Sequence, residues 1–147
     1  MDKKKGSISF NWIIENCIET FNSRGLDITL NQLASELGIS RGRISHYFPT
    51  KELLLVAISQ EYEKNLEAIT SSYKFSTKEN YLDEQLKLYS LVMDNQYRFR
   101  CVMIYAAGTS SSRSEMVKQI NNRFSGSKER FRLLTVKLTE LGYLDKR

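Results

Sequence analysis

The amino-acid sequence predicts an all-α fold, and three observations carry that expectation. Apolar residues recur every three or four positions along most of the chain, no segment sustains the alternation of a strand, and Pro49 is the only proline among 147 residues. Nothing repeats at a fixed period, so a solenoid is not expected. The spacing predicts an N-terminal three-helix unit containing a helix-turn-helix, residues 1–50, followed by a helical bundle over 51–147. A chain of this length is about one ordinary domain, so the two parts should share a core.

The first helix is read from Ile8, Trp12, Ile14, Cys17, Ile18 and Phe21, with Gly25 as its stop. Thr29 is the expected cap of a short second helix whose inward face is Leu30, Leu33, Ala34 and Leu37, and Gly38 ends it. Ser40 caps a third helix through Ile44 to Phe48. Pro49 forbids simple continuation, because it lacks an amide donor and restricts the residue before it. Thr50 then caps a fourth helix along Leu53, Leu54, Ala57, Ile58, Tyr62 and Leu66, which the polar stretch Thr70 to Lys78 interrupts. Tyr81 to Asp94 reads as a fifth helix with Leu82, Leu86, Tyr89 and Met93 on one face. Phe99 to Ala107 forms a sixth, closed by Gly108 and the run Thr109 to Ser112. The seventh carries Val117, Ile120, Phe124, Phe131, Leu134, Leu138 and Leu141 on one stripe, with Gly126 as a kink point and Gly142 as the stop.

Composition narrows the function classes. With 41% hydrophobic and 27% charged residues the chain is that of a soluble globular protein. No apolar run approaches the roughly 18–20 residues that span a bilayer, and the N-terminus lacks a secretory signal, so a cytoplasmic location is expected. Cys17 and Cys101 sit in apolar helical patterns without nearby histidines; both are expected to be reduced core thiols, with no metal site and no cofactor. His46, the only histidine, lacks the companion ligands a metal requires. There is no phosphate loop, dinucleotide turn or nucleophile–base pair, so an enzyme is not expected.

The net charge of +5 suits a polyanionic partner, but its placement is uneven. Residues 1–51 hold seven Lys or Arg against five acids, 52–95 hold four against eight, and 96–147 hold eleven against four. The surplus therefore does not sit in the N-terminal unit as a whole. Locally, residues 40–51 carry Arg41, Arg43 and Lys51 and no acid, and Lys3, Lys4 and Lys5 precede the first helix, either as a solvated tail or as an arm that meets phosphates. The C-terminal basic block, including Arg98, Arg100, Arg123, Arg130 and Arg132, reads as a solvated face, with an anionic partner as the sharper alternative.

Residues 30–49, LNQLASELGISRGRISHYFP, satisfy the sterics of a helix-turn-helix. Ala34 is small where two helices cross steeply, Gly38 can take a left-handed turn, and Leu33, Leu37, Ile39, Ile44 and Tyr47 fill the wedge between the helices. That wedge turns Arg41, Gly42, Arg43, Ser45 and His46 outward as a reading head for a DNA major groove.

Here the sequence resembles the TetR family of transcriptional regulators: Thr29, Gly38-Ile39-Ser40, Gly42, Phe48 and Pro49-Thr50-Lys51-Glu52 with Leu54 stand where that family's N-terminal pattern has such residues. The resemblance covers residues 8–66 and extends more weakly to Tyr97-Arg98-Phe99. It implies that Thr29 and Lys51, at helix N-termini, contact backbone phosphates, while Arg41, Arg43 and His46 face bases or phosphates. Ser45 stands where the family usually has a phosphate-touching tyrosine, for which Tyr47 is a nearby substitute, and Arg43 replaces a small residue. Family members usually carry two further helices that form the dimer interface. This chain ends at Arg147, which is read either as truncation or as a different mode of dimerisation, with the stripe from Val117 to Leu141 as candidate interface.

By the same resemblance, 51–147 is an effector-binding and dimerisation domain, and the chain is a sequence-specific regulator, a repressor released by a small-molecule effector. As a homodimer it would bind an inverted-repeat operator in double-stranded DNA. The alternative is a constitutive DNA-binding or scaffolding module without an effector. The DNA-binding candidates are Thr29, Ser40, Arg41, Gly42, Arg43, Ser45, His46, Tyr47 and Lys51. Tyr89, Met93, Phe99, Met103 and Tyr105 are the effector-binding candidates, since aromatic and methionine side chains suit an adaptable apolar cavity, although core packing explains the same residues equally well. Trp12, Phe21 and Phe48 are read as core.

Overall fold

A computed structural model describes residues 9–73, 80–108 and 115–145. Among the described residues the chain forms seven α-helices and no strand: α1 (Phe10–Arg24), α2 (Leu30–Glu36), α3 (Arg41–Tyr47), α4 (Lys51–Ser72), α5 (Tyr81–Arg98), α6 (Arg100–Gly108) and α7 (Glu115–Glu140). The all-α expectation holds. Ile8, Lys3 to Lys5, residues 74–79 and the run 109–114 lie outside the described residues, as do the side chains of Val117, Ile120, Arg123 and Phe124.

The first four helices start the same way. Ser9, Thr29, Ser40 and Thr50 stay extended, and each hydroxyl accepts the backbone N–H three residues on, from Trp12, Gln32, Arg43 and Leu53, at 3.2–3.3 Å. Such caps satisfy amides that no preceding turn can reach, at about 1 kcal/mol each. α4 runs two residues past the Thr70 where the polar stretch begins, and Thr70, Ser71 and Ser72 return their hydroxyls to carbonyls one turn back.

One cluster of buried side chains runs through the molecule. Ile13, Ile14, Cys17, Ile18 and Phe21 of α1 meet Leu30, Leu33 and Ala34 of α2, Ile44 of α3, and Leu54, Leu55, Ile58 and Tyr62 of α4. Phe99, Cys101 and Val102, at the break between α5 and α6, close it from the other side. Tyr62 meets the Phe99 ring edge-on at 5.7 Å. Trp12 departs from expectation: it is 36% exposed, and its neighbour Ile13 is fully buried instead, because the inward phase of α1 is 13, 14, 17, 18, 21.

Asn22 joins α1 to the α5–α6 break. Its amide nitrogen donates to the Arg98 carbonyl at 2.7 Å, and its amide oxygen accepts the Cys101 N–H at 3.0 Å. One side chain thus serves an orphan carbonyl at the end of α5 and an orphan amide at the start of α6. Arg100 donates to the Asn22 carbonyl at 3.3 Å, and Arg98 pairs with Glu15 at 3.6 Å on the surface.

α5 packs on α4 and buries Tyr81, Gln85 and Asn95, the last of which donates to the Tyr62 carbonyl of α4 at 3.4 Å. Leu82, Leu86 and Met93 do share a face, but it points outward, with Leu86 66% and Met93 60% exposed. On α7, Phe131 is exposed and stacks on Tyr89 at 5.8 Å, whereas Leu134 and Leu138, and Leu141 just after the helix, are half-buried. α7 continues as one helix through Gly126. No helix among the described residues is long and apolar enough to cross a membrane.

Candidate nucleic-acid interface

The unit that would meet DNA is built from α2, α3 and the turn between them. At its start Thr29 and Gln32 form a reciprocal capping box: the Thr29 hydroxyl accepts the Gln32 N–H at 3.3 Å, and the Gln32 side-chain oxygen accepts the Thr29 N–H at 2.8 Å. The T-x-x-Q spacing carries that signal in the sequence, and Gln32 was the partner that reading Thr29 alone leaves out.

α2 ends in a Schellman turn. The Gly38 N–H donates to Ser35 O and the Ile39 N–H to Ala34 O, both at 3.0 Å, with Gly38 at φ 64°. This left-handed step reverses the chain tightly, and the half-buried Ile39 packs back on the core. Leu33 and Ile44 are fully buried between α2 and α3, and Ala34 is 2% exposed where the helices cross. The wedge expected from the sequence is therefore present, with one change. Tyr47 lies at its edge, exposed, with its ring 6.0 Å from that of Phe10, while Phe48 takes the inward position.

With Ile44 turned inward, Gly42, Arg43, His46 and Tyr47 are exposed, and Arg41 and Ser45 are half-buried. The two half-buried side chains interlock: the Arg41 guanidinium donates to the Ser45 hydroxyl, which donates in turn to the Arg41 carbonyl at 2.6 Å. Among the described residues Arg43 makes no such tie, and it projects, exposed, from the first turn of α3. The His46 ring meets Tyr47 edge-on at 5.0 Å. Among the described residues a Cβ added at Gly42 would meet only the Ser40 Oγ, at 4.0 Å, so none of them demands glycine there.

Thr29 and Ser40 sit at the N-termini of α2 and α3 as expected, each engaged as a cap. Lys51 opens α4, half-buried, and its ammonium donates to the Leu26 carbonyl at 2.7 Å. Asn22 and Leu26 escaped the sequence reading because a polar side chain on a helix flank, or a loop carbonyl, announces no partner by its spacing.

The five effector candidates are dispersed. Phe99 is fully buried, Met103 and Tyr105 pack against the same core, Tyr89 stacks on Phe131, and Met93 is exposed. Two surface hollows, one along Thr135, Val136, Thr139 and Glu140, the other beside Arg24, Asp27, Ile28, Gln32 and Glu36, include none of them. Cys17 and Cys101 are buried and free. Burial pushes their thiols up, Cys17 to about 12 with the neighbouring Cys101 adding to the effect, and Cys101 to about 11. No group of three or more His, Cys, Asp or Glu among the described residues could hold a metal ion.

Residues 13–58, which contain all of α2 and α3, match the family model for bacterial regulatory proteins of the tetR family. Among solved structures, the fold is similar to that of a TetR-family transcriptional regulator from Marinobacter aquaeolei VT8, with a TM-score of 0.78 and 21% identity. The match spans 93% of this chain and 67% of that one. No curated protein sequence matches the chain significantly. The resemblance read from the helix-turn-helix residues thus extends to the fold of nearly the whole chain.

Proposed function

We propose that this chain is a sequence-specific DNA-binding transcriptional regulator that places α3 in the major groove. The observation that carries the proposal is the outer face of α3. A helix locked by buried Ile44 presents Arg43, His46 and Tyr47, with Arg41 and Ser45 beside them, on an acid-free segment of a unit matching the tetR family model. Arg43 is suited to a bidentate contact with a guanine edge or to a phosphate. The open space at Gly42 lets the backbone approach a groove wall. The N-terminal amides of α2, capped by Thr29, and of α3, capped by Ser40, would meet backbone phosphates.

Residues 1–50 are the reading unit in this proposal, and 51–147 hold the effector and the second copy. Two heads about one helical turn apart, roughly 34 Å, would read an inverted repeat, because a single helix-turn-helix covers too few base pairs for useful specificity. The regulator acts as a repressor that a small molecule releases. The resemblance supports that step, with Tyr89, Met93, Phe99, Met103 and Tyr105 as its candidate contacts.

The test is fluorescence anisotropy on a duplex enriched from a random pool. Replacing Arg41 and Arg43 together by Ala should weaken binding to it by about thirtyfold or more, at roughly 1–3 kcal/mol per base contact, with the helical circular dichroism unchanged. Undiminished affinity in the folded double variant would remove α3 as the reading helix.

A further inference from the structure

Lys51 is the first residue of α4, where a cation faces the positive end of its own helix. That placement is unfavourable unless the ammonium finds negative charge elsewhere, and it does so in the connection between α1 and α2. Its Nζ lies 2.7 Å from the carbonyl oxygen of Leu26, 25 residues back along the chain. Both ends of this bond are anchored. The first turn of α4 is set by the Thr50 cap and follows Phe48, which is 2% exposed. On the other side Leu26 and Ile28 pack against the core, and the segment leads directly into Thr29 and the capping box of α2.

Resting on the reading of α3 as a recognition helix, we infer that Lys51 is a positioning residue. It ties the start of α4 to the turn that aims α2, and through the Schellman turn at Gly38 it fixes the angle at which α3 is presented. The bond crosses from the second helical region back to the reading unit, so the unit's orientation depends on where α4 begins. An ammonium committed to a carbonyl in this way serves a geometric role that a phosphate contact alone would not require. The two roles leave different marks on DNA binding. Loss of a phosphate contact weakens all sequences alike and lowers the salt slope by about one, whereas loss of aim costs the cognate site and leaves the slope unchanged.

The experiment compares the wild-type protein with Lys51→Met, which keeps the apolar stem and removes the donor, at a temperature where circular dichroism shows both folded. Affinities for the enriched duplex and for the random-sequence duplex pool are measured across a KCl titration, and backbone hydrogen exchange is followed over residues 26–30. The expected result is a discrimination between the two DNAs reduced by about tenfold or more, the loss of one charge-assisted hydrogen bond, with the salt slope unchanged and exchange at 26–30 accelerated. A slope lowered by about one with discrimination intact would overturn the inference in favour of a phosphate contact. Both affinities falling in equal proportion with the salt slope unchanged would overturn it in favour of a role in stability alone. Should the wild-type protein not discriminate between the DNAs at all, the reading of α3 fails, and the exchange decides the tie by itself: unchanged protection at 26–30 in Lys51→Met would show that the bond holds nothing in place.

Discussion

Gly38 offers a clean test of how the turn before α3 is made. Its φ of 64° lies in the left-handed region, and a Cβ built there meets no atom within 4 Å. The cost of a side chain at this position is therefore conformational and not steric. An L-residue in that region costs about 1–2 kcal/mol, and the Gly→Ala change returns about 0.4–1 kcal/mol by restricting the unfolded chain. The net for Gly38→Ala is then about 1 kcal/mol. For a chain of this length that corresponds to a fall in Tm of about 2–4 °C. Asn tolerates the left-handed region and should cost less than Ala; Val, branched at Cβ, should cost more. Gly25 supplies an internal comparison. Its φ of 87° with ψ of 177° falls in a region essentially confined to glycine, so Gly25→Ala should cost more than Gly38→Ala although it too has open space. Thermal and urea unfolding of the four variants measure this order. A Gly38→Ala protein as stable as the wild type, or a Val variant no worse than Ala, would refute the conformational account of the turn.

Two further outcomes are expected. Asn22→Ala should lower stability by about 1–3 kcal/mol in urea unfolding, because it strands the Arg98 carbonyl and the Cys101 amide at the α5–α6 break; a change under 0.5 kcal/mol, roughly the scale of an ordinary surface substitution, would show that the bridge contributes little. The thiols of Cys17 and Cys101 should resist alkylation in the native protein and react on unfolding. Their raised pKa values mean that the folded state holds its protons longer, so this contribution to stability is complete below pH 9 and is lost as pH rises toward 11 and 12. Stability that does not fall across that alkaline window would contradict the burial of the pair.

The N-terminal half was legible because its signals are local. Thr29, Ser40 and Thr50 cap helices by hydroxyls that reach three residues along the chain, and Gly38 marks a left-handed turn wherever the neighbouring apolar spacing demands a stop. In α5 the periodicity located the helix, but it could not say which stripe turns inward. Leu82, Leu86 and Met93 form the more apolar face and stand exposed, while Gln85 and Asn95 are buried, Asn95 with a donor bond to Tyr62 O. A buried amide with a partner costs little, so hydrophobicity alone does not decide the orientation. Trp12 and Ile13 show the same limit on α1, where adjacent apolar residues divide between the core and its rim. Within the candidate site, the outward residues of α3 follow from the position of Ile44. The interlock of Arg41 with Ser45 and the tie from Lys51 to Leu26 depend on side-chain geometry that spacing does not encode.

Selection of bound sequences from a random duplex pool at moderate salt, followed by the mass of the resulting complex, tests the central proposal most directly. An enriched inverted repeat carrying two chains is the expected result. Salt-sensitive binding without enrichment of any sequence would contradict the assignment of α3 as a sequence-reading helix.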